Sequence, residues 1–254
     1  MSDKHYDISY LEGTTRRLRE LKEQSYLPLL HLQQGLIVEL GCGTGADALR
    51  LAELAGPELK VVGIDHDAAM IEKARSMAGD RPNISFLQAD ARTISLGSET
   101  VAAVRTERLV QHLEHPEDTF AEIHRVLQPG APVVIVETDW ENFTLYNGDR
   151  EVRRKLGQYL VADKINNGYA ARNLTQYLEQ QRFSGIKVQV FPFELRALEQ
   201  VFAYLMIDQS LAEMKAKGLL TSAEYDTFMR QLADAESQGY FTCTINLVIV
   251  SATK

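Results

Sequence analysis

The sequence predicts an α/β protein whose central parallel sheet is covered by helices on both faces. Between residues 37 and about 137, short apolar runs alternate with stretches of helical periodicity, which is the pattern typical of such a sheet. A glycine-rich turn follows the first apolar run, and acidic residues end the second and third. The apolar runs are LIVEL (36–40), LKVVGID (59–65), ISFLQAD (84–90), VAAV (101–104) and PVVIVE (132–137).

The segments between these strands carry helix and turn signals. In the first, Asp47, Arg50 and Glu53 recur every third residue among apolar neighbours, which predicts a mostly buried helix with one polar stripe. Asp67 is in position to cap the next helix. The tetrapeptide Leu127-Gln128-Pro129-Gly130 predicts a turn before the fifth strand.

After residue 140 the pattern becomes mainly helical. A capping-box spacing, Thr221-Ser222-Ala223-Glu224, predicts the start of one of these helices. Because no linker rich in glycine, proline or serine interrupts the chain, we expect a single domain over residues 1–254 with a helical elaboration. The predicted elements are helices at 149–165, 172–182 and 195–217, and strands at 186–191 and 241–252.

Charge and composition narrow the classes of partner. The chain carries 27 basic and 35 acidic side chains, a formal charge of -8, which argues against a nucleic-acid partner because such binding needs clustered Lys and Arg. One dense basic run contains Arg16, Arg17, Arg19 and Lys22. It is interpreted as the solvated face of an amphipathic helix, with a binding patch as the alternative.

Cysteine content and hydropathy predict the compartment. Cys42 and Cys243 are too few and too far apart for a disulfide framework or a zinc signature. The amino terminus lacks a signal-peptide pattern, and the longest apolar run, residues 245–250, is too short to span a bilayer. We therefore expect a soluble cytoplasmic protein with no membrane association, as a monomer or homodimer.

The glycine-rich turn predicts a ligand site. Gly41, Gly43 and Gly45 lie between a strand and a helix amino terminus, where the bare backbone can approach a ligand closely. Asp65, at the end of the second strand, is placed to accept both hydroxyl protons of a ribose. These features fit an adenosine ligand, but nicotinamide-dependent enzymes share them.

Two further carboxylates bear on the choice of ligand. Asp90, followed by Ala91, ends the third strand and can read the edge of an adenine together with the next backbone N–H. Glu39 lies two residues before the first glycine and suits a ligand that carries an ammonium group.

The ordered motifs resemble those of the class I S-adenosylmethionine-dependent methyltransferases, within the small-molecule branch that includes the ubiquinone and menaquinone methyltransferases. The resemblance implies a Rossmann-like, mostly parallel seven-stranded sheet of order 3-2-1-4-5-7-6, with the last strand antiparallel. It also implies a helical lead-in at 1–35 over the cofactor and a cofactor-binding core at 36–140. We expect a helical substrate cover at 141–185 and 195–238, because this region is the least family-like part of the chain. The motifs are VELGCGTG, GIDHD, FLQADA, VRTERLVQHLEHPEDTFAEIHRVLQPG and VVIVE.

The resemblance also implies roles for individual residues toward S-adenosyl-L-methionine. The three glycines hold its methionine part, and Asp65 binds the ribose with His66 flanking the adenine. Asp90 and Ala91 read the adenine, and Arg105, just past the fourth strand, offers its backbone carbonyl to the ammonium group. For His66, a solvated loop residue is the alternative.

The acceptor is expected beyond the ends of the fourth and fifth strands. His112 is the candidate general base, because histidine titrates near neutrality, with loop packing as the alternative. Arg108 either binds an acidic substrate or pairs with Glu107. Asp139 and Trp140 follow the fifth strand and suit a planar or cationic acceptor, although Trp140 is also a candidate core or lid residue.

Three tyrosines of the amino-terminal segment and an expected absence of metal complete the predicted site. Tyr10 is a candidate substrate residue; with Tyr6 and Tyr26 it either closes over the cofactor or packs helices. Asp139 and Glu107 lack the additional acids that a magnesium site needs, and the histidines have no clean ligand spacing, so we expect no metal.

The predicted activity is methyl transfer by in-line displacement to an oxygen, nitrogen or carbon atom of a small metabolite. Three alternatives stay open: a noncatalytic S-adenosylmethionine-binding partner or sensor, a tRNA or protein methyltransferase, and a nicotinamide oxidoreductase. The chain lacks an Asn-Pro-Pro-Tyr motif and a Pro-Cys nucleophile, which disfavours the commonest base-modifying chemistries.

Overall fold

The computed structural model describes residues 19–56 and 58–254. Tyr6 and Tyr10 lie outside these residues, so their predicted roles stay predictions. The chain divides into two compact units. The first contains the residues up to Glu137 together with Asn173–Gln189 and Ile249–Lys254, and the second contains Thr138–Arg172 and Val190–Val248.

Seven strands form one sheet of order β3-β2-β1-β4-β5-β7-β6. Strands β1 to β5 pair in parallel along that order, and the last strand of the chain is antiparallel. This confirms the predicted fold class. The strands are β1 (Gly35–Leu40), β2 (Leu59–Asp65), β3 (Ile84–Gln88), β4 (Ala103–Glu107), β5 (Pro132–Leu145), β6 (Ser184–Leu195) and β7 (Cys243–Thr253).

The helices follow the predicted alternation with the strands in the first half of the chain. Asp67 caps α3 as predicted, since its Oδ1 accepts hydrogen bonds from the backbone N–H groups of Ala69 and Met70. The helices are α1 (Arg19–Tyr26), α2 (Ala46–Leu54), α3 (Ala68–Ala78), α4 (Pro116–Val126), α5 (Arg150–Tyr159), α6 (Ala170–Gln180), α7 (Leu198–Leu205), α8 (Ile207–Ala216) and α9 (Ser222–Ser237).

Among the first five strands, two continue well past the ends of the apolar runs that predicted them. The fourth run ends at Val104, but β4 continues to Glu107, so Arg105 lies inside the strand and not just past it. The fifth run ends at Glu137, but β5 continues to Leu145 and includes Asp139 and Trp140. The sequence boundaries were wrong at both places because a charged residue ends an apolar run, whereas a strand can continue when the charge is paired.

Helices in the second unit also differ in detail from the prediction. The predicted helix at 195–217 is two helices, α7 and α8, separated at Met206, whose φ of 53° is left-handed. The capping box at the start of α9 is confirmed: the hydroxyl of Thr221 accepts from the N–H of Glu224, and the Glu224 carboxylate accepts from the N–H of Thr221.

The second unit has its own apolar core. Trp140 lies in this core, 8% exposed, so the structure supports its packing role. The largest fully buried members are Phe228 and Phe241, and the helices α5 and α7 to α9 all contribute side chains. Among the described residues, no helix is long and apolar enough to cross a membrane.

Candidate active site

The glycine turn is a left-handed backbone segment between β1 and α2. Gly41, Gly43 and Gly45 have φ angles of 74°, 51° and 83°, which residues with a side chain rarely adopt. Gly45 also leaves no room for one, because a Cβ there would lie 2.8 Å from the ring of Phe86. The predicted need for glycine at these positions therefore has a geometric cause.

Asp65 is fixed against this turn. Its Oδ2 accepts a hydrogen bond of 2.8 Å from the backbone N–H of Gly43, and its Oδ1 accepts one of 3.0 Å from Asp67. The Asp65 side chain is 12% exposed, whereas that of its neighbour His66 is 77% exposed, with Nδ1 3.3 Å from Asp65 Oδ1. The structure thus joins the turn and the ribose candidate, and it leaves His66 on the surface.

Asp90 is held by a neighbouring arginine. Arg92 donates from Nε to Asp90 Oδ1 at 3.0 Å and from a guanidinium nitrogen to Oδ2 at 2.7 Å. These bonds lower the pKa of Asp90 from its ordinary value. Asp90 and Ala91 lie just after β3, near where the sequence placed them, but the carboxylate already has a charged partner that the sequence reading did not consider.

A buried cluster of charged side chains adjoins the turn. Arg105 is fully buried in β4 and donates to Glu39 Oε1 at 2.6 Å, to Glu107 Oε2 at 2.7 Å and to Ser25 Oγ at 2.8 Å. The Arg105 side chain therefore belongs to an ion-pair cluster. Its backbone lies within the β-ladder, where Arg105 is opposite Glu39 of β1 and Val134 of β5. The expected position of its carbonyl beyond the strand end was wrong.

Helix α1 contributes to the same cluster. Lys22 Nζ lies 2.5 Å from Asp47 Oδ2 and 3.0 Å from Glu107 Oε1. The hydroxyl of Tyr26 donates to Asp47 Oδ1 at 2.5 Å, and the Arg105 guanidinium lies 4.8 Å from the centre of the Tyr26 ring. Lys22 is 3% exposed, so the interpretation of this residue as part of a solvated face was wrong.

The cluster leaves one oxygen of Glu39 open. Oε2 of Glu39 is buried and has no hydrogen-bond partner among the described residues, although Oε1 is paired with Arg105. Burial raises the pKa of Glu39 to about 7, against the opposing effect of Arg105. By contrast, the charges of Lys22 and Arg105 overcome the effect of burial and keep the pKa of Asp47 below its ordinary value.

Sequence reasoning missed Lys22 and Asp47 as partners of the site, and it did not foresee the hydrogen bond of Tyr26 to Asp47. The sequence offered one weak indication. Asp47 belongs to the polar stripe of a mostly buried helix, and a carboxylate in such a stripe needs a charged or hydrogen-bonding partner if another element packs over it. The partner is Lys22 on α1, which lies 25 residues before Asp47 in the sequence. No local pattern predicts that contact.

Beyond β4 the chain forms a turn that carries the candidate base. Arg108 has a left-handed φ of 51°, a strained conformation of the kind found at functional sites, and its Nε lies 3.5 Å from Glu107 Oε1. The buried carboxylate of Glu137 accepts from the N–H groups of Val110 and Gln111 at the start of a 3₁₀ turn, Val110–His112. Glu137, which the sequence reading passed over, therefore fixes this turn.

His112 ends that turn and is partly exposed. Its Nε2 lies 3.1 Å from the side-chain amide nitrogen of Gln111. An amide N–H can only donate, so this contact is a hydrogen bond in the tautomer that leaves Nε2 unprotonated. A neutral ring is the form that a general base requires.

In the second unit, Asp139 is paired with an arginine. Arg172 Nε lies 3.1 Å from Asp139 Oδ1 and 3.2 Å from Glu141 Oε2, and the Arg172 side chain is 50% exposed while that of Asp139 is 12% exposed. Asp139 is therefore a covered carboxylate with an exposed cation over it. Arg172 was not recognised from the sequence.

One of the two cysteines lies in the glycine turn, where Cys42 Sγ donates to the backbone carbonyl of Gly43 at 3.7 Å. Cys42 and Cys243 are free and buried, and burial raises the pKa of both thiols. In the part of the chain that the structure describes, no group of three His, Cys, Asp or Glu side chains is arranged to hold a metal ion.

Comparison with known proteins finds similarity to methyltransferases. A family described as "Methyltransferase domain" matches residues 37–130. An uncharacterized 37.1 kDa protein in transposon TN4556 of Streptomyces fradiae is 28% identical over 249 residues, which are 97% of this chain and 71% of the relative. Demethylmenaquinone methyltransferase of Lactococcus lactis is 33% identical over 141 residues, which are 55% of this chain and 54% of the relative.

A solved structure has the same fold. Haemonchus contortus phosphoethanolamine N-methyltransferase 2, in complex with phosphomonomethylethanolamine and S-adenosylhomocysteine, aligns with a TM-score of 0.56 at 16% identity. The alignment covers 91% of this chain and 53% of the other. This chain thus spans about half the length of that protein and of the Lactococcus relative.

This chain shares its sheet order, its glycine turn with the adjoining acids and the matched domain with the class I S-adenosylmethionine-dependent methyltransferases. Within that class it resembles the ubiquinone and menaquinone methyltransferases. The cofactor of this class is S-adenosyl-L-methionine.

The residues of the site fit that cofactor. The buried open oxygen of Glu39 calls for a cation, and the cofactor carries an ammonium group. A Cβ at Gly41 would lie 3.1 Å from the side chain of Leu109, so any side chain there would require that leucine to shift. Asp65, fixed by two backbone N–H groups, presents a carboxylate at the strand end where a ribose binds in folds of this type.

Proposed function

We propose that this protein transfers the methyl group of S-adenosyl-L-methionine to an oxygen, nitrogen or carbon atom of a small metabolite. The single observation that carries the proposal is the buried, open Glu39 Oε2 beside a glycine turn to which Asp65 is hydrogen-bonded. A cationic group and a ribose in one ligand satisfy both. The matched methyltransferase domain and the quinone-methylating relative support the same reading.

Different residues of the chain hold different parts of the cofactor. Asp65 accepts from the ribose hydroxyls, and the backbone of Gly41, Gly43 and Gly45 packs against the methionine part. Asp90 and Ala91 flank the adenine; since Arg92 occupies both carboxylate oxygens of Asp90, that contact uses the remaining lone pairs. The bound cofactor supplies an activated methyl group on a sulfonium.

Transfer itself is a displacement in which the sulfur–carbon bond breaks as the acceptor–carbon bond forms. Holding the acceptor in line at near-attack distance contributes up to about 7–11 kcal/mol. If the acceptor arrives protonated, His112 accepts the proton on Nε2 after Gln111 turns aside. Arg108, its charge shared with Glu107, offers a cation to an acidic acceptor.

The predicted contact of Asp139 with the acceptor stays a prediction, and it concerns the second unit by itself. The carboxylate of Asp139, covered by Arg172, suits a cationic group. Trp140 is buried in the apolar core, so its contribution is to hold this part of β5 in place.

Ligand binding tests the proposal first. The thermal unfolding temperature is measured with S-adenosylmethionine, S-adenosylhomocysteine and NAD, each against the free protein. We expect stabilisation by the first two and none by NAD. Stabilisation by NAD alone would reject the proposal in favour of a nicotinamide enzyme.

Turnover is then tested by release of S-adenosylhomocysteine over a panel of hydroquinones, phosphorylated amines and carboxylic acids. With an active acceptor in hand, His112→Ala is compared with His115→Ala, a matched substitution three residues away at an exposed position. A general base contributes about 10²- to 10⁴-fold to the rate. Equal rates in the two variants would remove His112 from catalysis, and binding without turnover on any acceptor would favour a sensor.

A further inference from the structure

Glu39 is the least compensated carboxylate in the buried cluster. Asp47 contacts two cations, Lys22 and Arg105, and Glu107 contacts these two and Arg108, whereas the described contacts of Glu39 include Arg105 alone. Its second oxygen is buried without a hydrogen bond among the described residues. An ionised oxygen in that position is costly, so it takes up either a proton or a cation.

The groups around Glu39 come from four elements. On β4 they are Arg105 and Glu107, on α2 Asp47, and on α1 Lys22 and Tyr26. On β2 its partner in the ladder is the uncharged Gly63. The arrangement places a cation against one oxygen of Glu39 and two further carboxylates close to it.

Only Glu39 among these acids changes charge near neutrality. Burial raises its pKa to about 7. Nearby cations hold the pKa of Asp47 and Glu107 below the ordinary range despite burial, so both stay ionised. Burial raises the pKa of Tyr26, so its hydroxyl keeps its proton. The cluster therefore has one exchangeable proton in the physiological pH range.

We infer that Glu39 Oε2 exchanges this proton for the ammonium group of the cofactor, so that cofactor binding releases a proton to solvent. The inference rests on the proposed function, since it takes the ligand to carry an ammonium group. Arg105 is the positioning residue: it holds Oε1 and leaves Oε2 as the acceptor. Methyl-donor binding then weakens as pH falls, because at low pH the proton must be removed before the cation can bind.

Isothermal titration with S-adenosylhomocysteine tests the inference, because this product has the ammonium group but no sulfonium and is not turned over. Titrations at about pH 6 in buffers of different ionisation heat count the protons released. We expect nearly one proton at about pH 6, almost none at about pH 8, and affinity about tenfold weaker at the lower pH.

A ligand without the amino-acid part provides the matched comparison. 5′-Methylthioadenosine keeps the adenosine but has no ammonium group, so we expect it to bind with no proton release and no weakening at low pH. Equal release with both ligands would overturn the inference. If neither adenosine ligand binds at any pH, the proposed function fails; if both bind and S-adenosylhomocysteine releases no proton, only the inference fails.

Two variants locate the proton. Glu39→Gln keeps the shape but cannot titrate, and we expect it to abolish proton release and to flatten the pH dependence. His66→Asn is the control, because it replaces the ionisable side chain that lies 3.3 Å from Asp65 at the proposed ribose site. Loss of proton release in His66→Asn would assign the proton to the histidine and overturn the inference. Should Glu39→Gln fail to fold, the comparison of the two ligands on the natural protein still decides.

Discussion

The two compact units bury different kinds of side chain. In the first, Arg105, Glu39 and Lys22 lie within a few per cent of full burial and meet in one ion-pair cluster. In the second, the buried cluster is apolar, built around residues such as Phe228 and Leu232. Most of its ion pairs, such as that of Arg154 with Glu151, lie on the surface.

This difference indicates which buried cluster is related to ligand binding. Apolar packing of similar volume would stabilise the first unit as well as a buried ion-pair cluster or better, because desolvation offsets much of the attraction between charges. The cluster is therefore better explained by the ligand than by stability. It includes Glu39 on the strand that leads into the glycine turn, and the buried Oε2 of Glu39 has no hydrogen-bond partner among the described residues.

The largest effect is expected from breaking the cluster. Arg105→Met leaves three buried carboxylates with Lys22 as their main cation, and we expect the free energy of unfolding to fall by about 3–5 kcal/mol. Urea unfolding followed by circular dichroism measures it. Arg154→Met, which removes the same type of side chain from a surface pair, is the control and should change little. Equal losses in both variants would contradict the contrast between the two units.

A comparable loss is expected from opening the apolar core of the second unit. Leu232→Ala removes a fully buried side chain, and we expect a cost of about 2–5 kcal/mol from lost burial and the cavity left behind. Leu219→Ala, at a position that is 45% exposed, is the matched control and should cost far less. The measurement is again urea unfolding. Unlike Arg105→Met, the core variant should leave the pH dependence of cofactor binding unchanged.

A smaller effect is expected at the ribose site. Asp65→Ala removes a carboxylate that accepts charge-assisted hydrogen bonds, and we expect cofactor binding to weaken by about 1–3 kcal/mol. Calorimetric affinity for S-adenosylhomocysteine checks this. Asp80→Ala, at an exposed position on the loop after α3, should have no effect. Unchanged affinity in Asp65→Ala would remove Asp65 from the ribose site.

Sequence reasoning succeeded where the determinants are local or periodic. The strand-turn-helix order, the glycine positions, the cap at Asp67 and the capping box at Thr221 all depend on neighbours within a few residues. It failed at the ends of β4 and β5. There Arg105 and Asp139 interrupt an apolar run, and only contacts with residues far along the chain allow a charged side chain to remain inside a strand.

The sequence by itself therefore determined the class of fold and the glycine turn that is proposed to receive the cofactor, because hydrophobic periodicity and glycine conformations are properties of short segments. Only the tertiary structure decided which charges are buried together. Lys22, Asp47 and Arg105 lie on three elements separated by tens of residues, and each appears in the sequence as an ordinary polar position. Their pairing depends on three-dimensional packing, and so does the open oxygen of Glu39.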